Sequence, residues 1–520
     1  MDQQNSGPAL RATHGWRAWT VLIAMVALVD IMLYRSAGFA GPAVFFPVAF
    51  ALLLWGRGQN DWNTSLIVVT SLLILLSGSM IWAGGYGQII AAVWLLIAAN
   101  LSAQGVTPYL LESTVALATL VPGGYEFLHG FQLSWRRLIL DPVDHARPSR
   151  AMNFLLPIIS VVVFGTVFVL ANPDVIKKLS TMLSGFYEQI QIWMSRFSAF
   201  EIVIWCLTFW LTAGLLCPAV RKSIDTNGVL RNEENPNYEH PMFRPFRNTL
   251  ATLISLFVMY LIFEFCTLWF RDFPEGFHYS GYAHEGAAWL TVALGLATLT
   301  LSLIFRGSMM NDNRVASLKK LAWVWSALNF LLAASVYNRL LIYVDFNGMT
   351  RMRVVGLLGI SAVVGGFVLV LVKIVQRQRF IWLIRRQLWV LAMAVYLYLT
   401  VPVDMLVHRY NVQRILAGSV APCVQISEHP ITDDALPVLL PLLESENQTI
   451  REGIRALLRN RLILLQSAAR QNSQHWTATQ FGKTQALQKL QTAEASLQQF
   501  STATNASALQ DFHDYAMQWW

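Results

Sequence analysis

Eleven apolar runs, each close to the length a helix needs to cross a lipid core, leave this chain few folds to adopt. They lie at approximately 16–34, 40–56, 63–82, 86–104, 152–172, 199–217, 247–269, 287–305, 321–343, 353–373 and 387–406. A hydrocarbon core about 30 Å thick takes roughly 20 helical residues to span. Hydrocarbon cannot satisfy open backbone groups, so each run must be helical. Composition agrees: 55 % of the 520 residues are hydrophobic and only 13 % are charged, against about 25 % charge in a soluble domain. This excludes a disordered chain and argues against a water-soluble globule. The expected fold is all-α: a polytopic transmembrane bundle of about eleven spans followed by a soluble helical tail. The segments are the N-terminal spans 1–104, a cytoplasmic or interfacial stretch 105–151, a core membrane domain 152–406 and the tail 407–520.

Loop charges set the orientation. With the N-terminus in the cytoplasm, the inside segments hold 21 Lys and Arg and the outside segments eight. The positive-inside bias therefore predicts a cytoplasmic N-terminus and, after eleven spans, an extracytoplasmic tail. The first run reaches Tyr34 without a small-residue cleavage site, so it reads as a retained span. The net charge of +8 points to orientation and lipid contact, not to nucleic acid. The lipid bilayer is thus the first expected partner. The second run is short and holds Pro42 and Pro47, so a kinked or re-entrant course is open to it.

Two further segments stand apart. Val106 to Val121 is apolar but contains Glu112 and is followed by Pro122-Gly123-Gly124, which reads as a break. A half-buried or interfacial helix is expected there, with a twelfth span as the rival. Over 174–198, Val175, Leu179, Leu183, Phe186, Ile190, Trp193 and Phe197 recur at steps of three and four. That spacing makes one helical stripe, fit to lie on a leaflet or over the bundle. The tail carries two amphipathic helices, one on Ile450, Ile454, Leu457, Leu458, Leu462 and Leu465, the other on Leu487, Leu490, Leu497 and Phe500. Before them, 432–443 reads as a short helix capped by Thr432 or Asp433. A single helical pair cannot bury its own face, so it should pack on the rest of the tail.

No Walker A, GxSxG, HExxH, EF-hand or Rossmann pattern occurs, and Gly84-Gly85 reads as a tight turn between spans. The four cysteines have no CxxC spacing. No catalytic residue, metal site or cofactor is assigned. The remaining candidates are ionisable groups inside spans, because burying them is costly. Asp30 lies near the outer end of the first run, with Arg35 as a local partner. Glu264 lies near the outer end of the seventh. Arg339 is deep in the ninth and wants an anion: Asp30, Glu264 or a lipid phosphate. Tyr343, four residues on, shares its face. Arg353 opens the next helix, where a cation opposes the dipole, so an anion should compensate it; Asp345, Glu285 and Asp404 are the acids at hand. Arg339, Tyr343 and Arg353 are expected to converge near the outer face on a shared anionic partner.

Three stretches carry a resemblance to a family. The first is Tyr282-Ala283-His284-Glu285-Gly286-Ala287, at the opening of a span. The second runs from Arg339-Leu340 through Tyr343 to Gly348-Met349-Thr350-Arg351-Met352-Arg353. The third is Tyr410-Asn411-Val412-Gln413-Arg414 with Asp434-Ala435-Leu436-Pro437. Over roughly 150–445 the chain resembles an uncharacterised family of bacterial multi-pass membrane proteins known only as a domain of unknown function. It departs from that family's pattern at His284 and Ala287. The resemblance implies no activity and makes the turn residues Tyr282, His284, Glu285 and Gly286 further candidates.

The leading expectation is a bacterial inner-membrane protein, an envelope or signalling partner without enzymatic activity that binds a protein through 407–520. The rivals are a transporter for a small or amphipathic anion and a membrane-embedded transferase acting on a lipid.

Overall fold

The computed structural model describes residues 16–58, 62–140, 184–185, 198–216, 239–266, 279–306, 309–310, 312–376, 378–471, 475–498 and 502–519, with backbone alone for 130–140, 199, 279–288 and 502–503. The expected span 152–172 lies outside these residues, as does the stripe over 174–198 apart from 184, 185 and 198. Every described element is a helix. In chain order the first eleven are α1 (Trp16–Val29), α2 (Ala40–Arg57), α3 (Thr64–Ala83), α4 (Tyr86–Ser102), α5 (Leu110–Leu140), α6 (Ala199–Leu216), α7 (Phe243–Glu264), α8 (Tyr279–Ile304), α9 (Val315–Asn347), α10 (Arg351–Gln376) and α11 (Phe380–Thr400). Seven described stretches are long and apolar enough to cross a membrane: α1 with its extension to Tyr34, α2, α3, α7, α9, α10 and α11. Shorter apolar stretches come from α4, α6 and α8.

The helices form two packed groups. In the first, Phe46, Phe50, Leu73, Leu76 and Met80 of α2 and α3 meet α1 and α4. In the second, Phe305, Trp325 and Phe367 join α8, α9 and α10, with α7 alongside. Between them runs α11, whose Tyr396 hydroxyl donates to the Leu72 carbonyl at 2.9 Å. Gln88 Nε2 donates to the Leu399 carbonyl at 2.8 Å. Despite its prolines, α2 is one continuous helix rather than a re-entrant loop. Pro42 sits in its first turn, where no N–H donor is needed, and Pro47 is carried inside. At its far end Arg57 donates to the carbonyls of Asn100 and Leu215.

The expected break at Pro122-Gly123-Gly124 does not occur, because α5 runs through it. The glycines serve a close helix contact instead. Gly123 meets Gly214, and Gly124 meets Trp210, so α5 and α6 lie antiparallel with their backbones touching. A Cβ on Gly214 would overlap the Leu120 carbonyl. Ala116 and Leu120 are buried while Leu117 and Val121 are exposed, which makes this helix half-buried.

Beyond Thr400 the tail folds into a domain with its own core. It comprises α12 (Val403–Leu416), α13 (Cys423–Glu428), a 3₁₀ run (Asp433–Glu444), α14 (Gln448–Gln471), α15 (Phe481–Thr492), α16 (Glu494–Leu497) and α17 (Thr502–Ala516). Leu436, Leu439, Ile450, Ile454, Leu458, Leu490 and Phe512 pack together in it, which gives the stripe of α14 the cover it needs. The 432–443 stretch is 3₁₀ rather than a capped α-helix. Pro437 and Pro441 remove the N–H groups that an α ladder requires, and the Thr432 side chain makes no capping bond.

This domain is seated on one end of the bundle, where α1 meets α2, α3 meets α4, and α9 meets α10. Ala37 N–H donates to Thr477 Oγ1 at 3.1 Å, and Trp82 Nε1 to Asp434 Oδ2 at 3.3 Å. Among the described residues, the loops expected on the outside and the tail expected outside thus share one end.

Candidate functional site

The turn between α9 and α10 is where bundle and tail grip each other. Gly348 closes α9 with φ +83°, a conformation that L side chains rarely adopt. Thr350 Oγ1 then accepts the Arg353 N–H at 3.2 Å and caps α10. From the tail, Asn411 takes both backbone groups of one residue, Met349. Its Oδ1 accepts the Met349 N–H at 2.7 Å, and its Nδ2 donates to the Met349 carbonyl at 2.9 Å. Gln425 Nε2 donates to the Asn347 carbonyl at 2.9 Å, and Arg414 pairs with Asp345 at 3.0 Å. A side chain at Gly348 would strike Asn411 and Pro422.

Beside this clamp lies a charged lock. Arg351 donates through Nε and Nη2 to both oxygens of Asp404, and through Nη2 to the Pro430 carbonyl at 2.8 Å. Asp404 Oδ2 also accepts the Thr432 N–H at 2.9 Å. Burial alone would raise the Asp404 carboxyl, but the hydrogen bonds from Arg351 and Thr432 hold it below its ordinary value. One helical turn on, His408 is 2 % exposed. Burial pushes its imidazole down to about 4, against the pull of Asp404.

The deep arginine has its anion. Arg339 donates from Nε to Glu264 Oε1 at 2.6 Å and from Nη2 to Oε2 at 2.5 Å. Ser335 Oγ donates to Oε1 at 2.5 Å and the Tyr260 hydroxyl to Oε2 at 3.0 Å. Glu264 is fully buried and Arg339 is 5 % exposed. Of the partners expected for Arg339, Glu264 is the one bonded to it.

The expectation of a shared anion for Arg339, Tyr343 and Arg353 is corrected. Arg353 stacks its guanidinium on the Tyr343 ring, 3.7 Å from the centroid, and donates to the Gly348 carbonyl. A ring face and a carbonyl thus offset its unfavourable place at the helix start. Of the three acids expected near it, two go elsewhere, Asp404 to Arg351 and Asp345 to Arg414, and the side chain of the third, Glu285, lies outside the described residues. Asp30 is held by Arg35 at 3.0 Å and by Trp205 Nε1 at 3.1 Å. The π turn over Asp30–Tyr34 brings residues five apart together; Arg35 N–H donates to the Asp30 carbonyl at 2.9 Å. Arg35 also reaches Glu201 at 2.5 Å. Tyr282, His284, Glu285 and Gly286 belong to the helical backbone of α8 rather than to a turn before it; their side chains lie outside the described residues.

Glu201 and Gln425 are not among the residues expected to matter, and Asn411 is so only as part of the stretch that carries the family resemblance. Glu201 carries a readable signal, a lone acid at the head of an apolar run. Gln425 carries none. Among the described residues no group of three His, Cys, Asp or Glu is placed to hold a metal.

The tail also has a groove of about 440 Å³ between the 426–431 segment and α14. Ile426, Ile431, Leu457 and Leu464 line it, with His429 and Arg461 among its polar residues. Leu464 is 58 % exposed.

The model of a family described as a domain of unknown function (DUF4153) matches residues 23–442, from within α1 to the 3₁₀ run of the tail. No curated protein and no solved structure matches the chain.

Proposed function

The chain belongs to the family described as a domain of unknown function (DUF4153), and from that premise we propose that it is a membrane-embedded docking protein without enzymatic activity. Its tail groove takes an apolar segment of a partner protein that carries an acidic group. The groove beside α14 carries this reading, because it joins the exposed Leu464 to Arg461, while the acid in its lining, Glu428, is paired with His513 at 2.8 Å. The clamp on the α9–α10 turn would hold the groove at a fixed height over the membrane. The loop charges favour a cytoplasmic N-terminus in an inner membrane and a tail on the other side. Anion transport finds less support. Its best candidate, Arg339, already has the Glu264 carboxylate across two of its nitrogens.

The test is a photoreactive residue at position 464 of the full chain in its native membrane. The expected result is an adduct with another protein, mapped to an apolar segment bearing an acid, and lost in Arg461→Glu. The same label at Gln488, outside the groove, should give none. Adducts only with lipid, or only with a second copy of the chain, would contradict the proposal.

A further inference from the structure

A second cavity, of about 320 Å³, lies between α3, α4, α5 and α11. Its volume is in the range of small-molecule sites, about 300–1,000 Å³. Its walls include Leu72, Trp94, Ala98, Trp389, Ala392 and Tyr396, and its rim residues Ile90, Leu391 and Val395 are exposed. It is therefore an apolar crevice on the outer surface of the helices. Apart from the aromatic N–H and O–H groups, of which the Tyr396 hydroxyl is bonded to the Leu72 carbonyl, one polar side chain interrupts the apolar lining. Ser113 is 2 % exposed, lines the crevice, and its hydroxyl has no hydrogen-bond partner.

The chemistry at the mouth is cationic. Arg385 and Arg386 lie four and three residues before Trp389, hence within one turn of the crevice on α11. Arg385 is neutralised by Glu112 at 2.5 Å. Arg386 is exposed and has no acidic partner among the described residues. Its guanidinium lies over Tyr109 and Trp382, at 5.7 and 5.6 Å from the ring centroids. Tyr109 directly follows Pro108, another wall residue. An apolar slot, an unpartnered hydroxyl within it and an aromatic-framed cation at its mouth match one molecule in order.

The geometry points to a binding site for an anionic phospholipid. One acyl chain fills the crevice along α4 and α11, a glycerol or ester oxygen accepts the Ser113 hydroxyl, and the phosphate pairs with Arg386. The site lies at the end of the bundle away from the tail, so it is separate from the docking groove.

Native mass spectrometry of the full chain in detergent, with phosphatidylglycerol or phosphatidylcholine of the same acyl chains, tests this. One cation near a membrane surface contributes about 1 kcal/mol, so phosphatidylglycerol should be retained about fivefold better. Arg386→Gln should bring it down to the phosphatidylcholine level. Filling the crevice by Ala392→Phe should remove both lipids. Ala91→Phe, on the facing helix, should do the same, and serves if the first variant fails to fold. An unchanged preference in Arg386→Gln, or undiminished lipid in a folded crevice-filled variant, would overturn the proposal. Displacement of the lipid by glycerol 3-phosphate alone would overturn it as well, because the crevice would then be dispensable.

Discussion

Arg339→Ala should sharply lower the amount and the thermal stability of the protein in its membrane. The variant leaves Glu264 buried, with only Ser335 and Tyr260 donating among the bonds described above. Breaking a buried ion pair from one side typically costs about 3–5 kcal/mol. That is a large share of the roughly 5–15 kcal/mol that holds a folded protein together. Glu264→Leu should do similar harm by stranding the guanidinium. The double variant Arg339→Met, Glu264→Leu should recover most of the loss, since an apolar pair of similar volume needs no charge compensation. Thermal melting of the purified variants, with protein amount per cell, is the measurement. Normal stability in Arg339→Ala alongside a lost function would instead assign Arg339 to ligand binding.

The second large effect concerns the lock. Asp404→Ala strands the Thr432 N–H and takes the carboxylate from Arg351. An unsatisfied buried group costs about 1–3 kcal/mol, and the loss should appear as release of the tail. Limited proteolysis between α11 and α12 reads this directly: the variant should be cut while the wild type resists. Acid acts on the same contact. His408 stays neutral in the seated tail down to about 4, whereas an unburied imidazole takes a proton near 6.5. The released form therefore binds more protons between these values, and seating weakens as pH falls from about 6.5. Asp404 is held low in the seated form, so its contribution is complete above its unfolded value of about 4 and is lost as pH falls further. Cleavage should thus begin to rise below about pH 6.5 and steepen below about 4. His408→Asn should remove only the first part. A flat cleavage profile down to pH 4 would refute the role given to His408.

Much of the fold was legible because lipid leaves a helix no alternative, so an apolar run of sufficient length identifies its own structure. The stripe of α14 was legible for the related reason that its spacing demands a cover. The glycines of α5 were misread as a break because in water Pro-Gly-Gly ends helices, whereas here the missing side chains admit Gly214 of a distant helix. The 3₁₀ run was misread because an apolar period does not register the N–H groups lost at Pro437 and Pro441. At the site, the need of Arg339 for an anion was readable from its depth. Which acid supplies it was not, since Glu264 reaches it only through the packing of α7 on α9. The partner of Arg353 was missed because a ring face and a carbonyl carry no formal charge in a sequence.

The central claim is that the tail is a folded domain seated on the end of the bundle where α1 meets α2. A cysteine pair at Ala37 and Thr477, in a chain freed of its native cysteines, tests it most directly. Backbone and side chain of these residues are 3.1 Å apart, although they are far apart in the chain. The pair should form a disulfide on mild oxidation of intact membranes, as should a control pair inside the tail at Asn460 and Asn505, whose side chains meet at 2.7 Å. A control that cross-links while the 37–477 pair does not would contradict the seating of the tail.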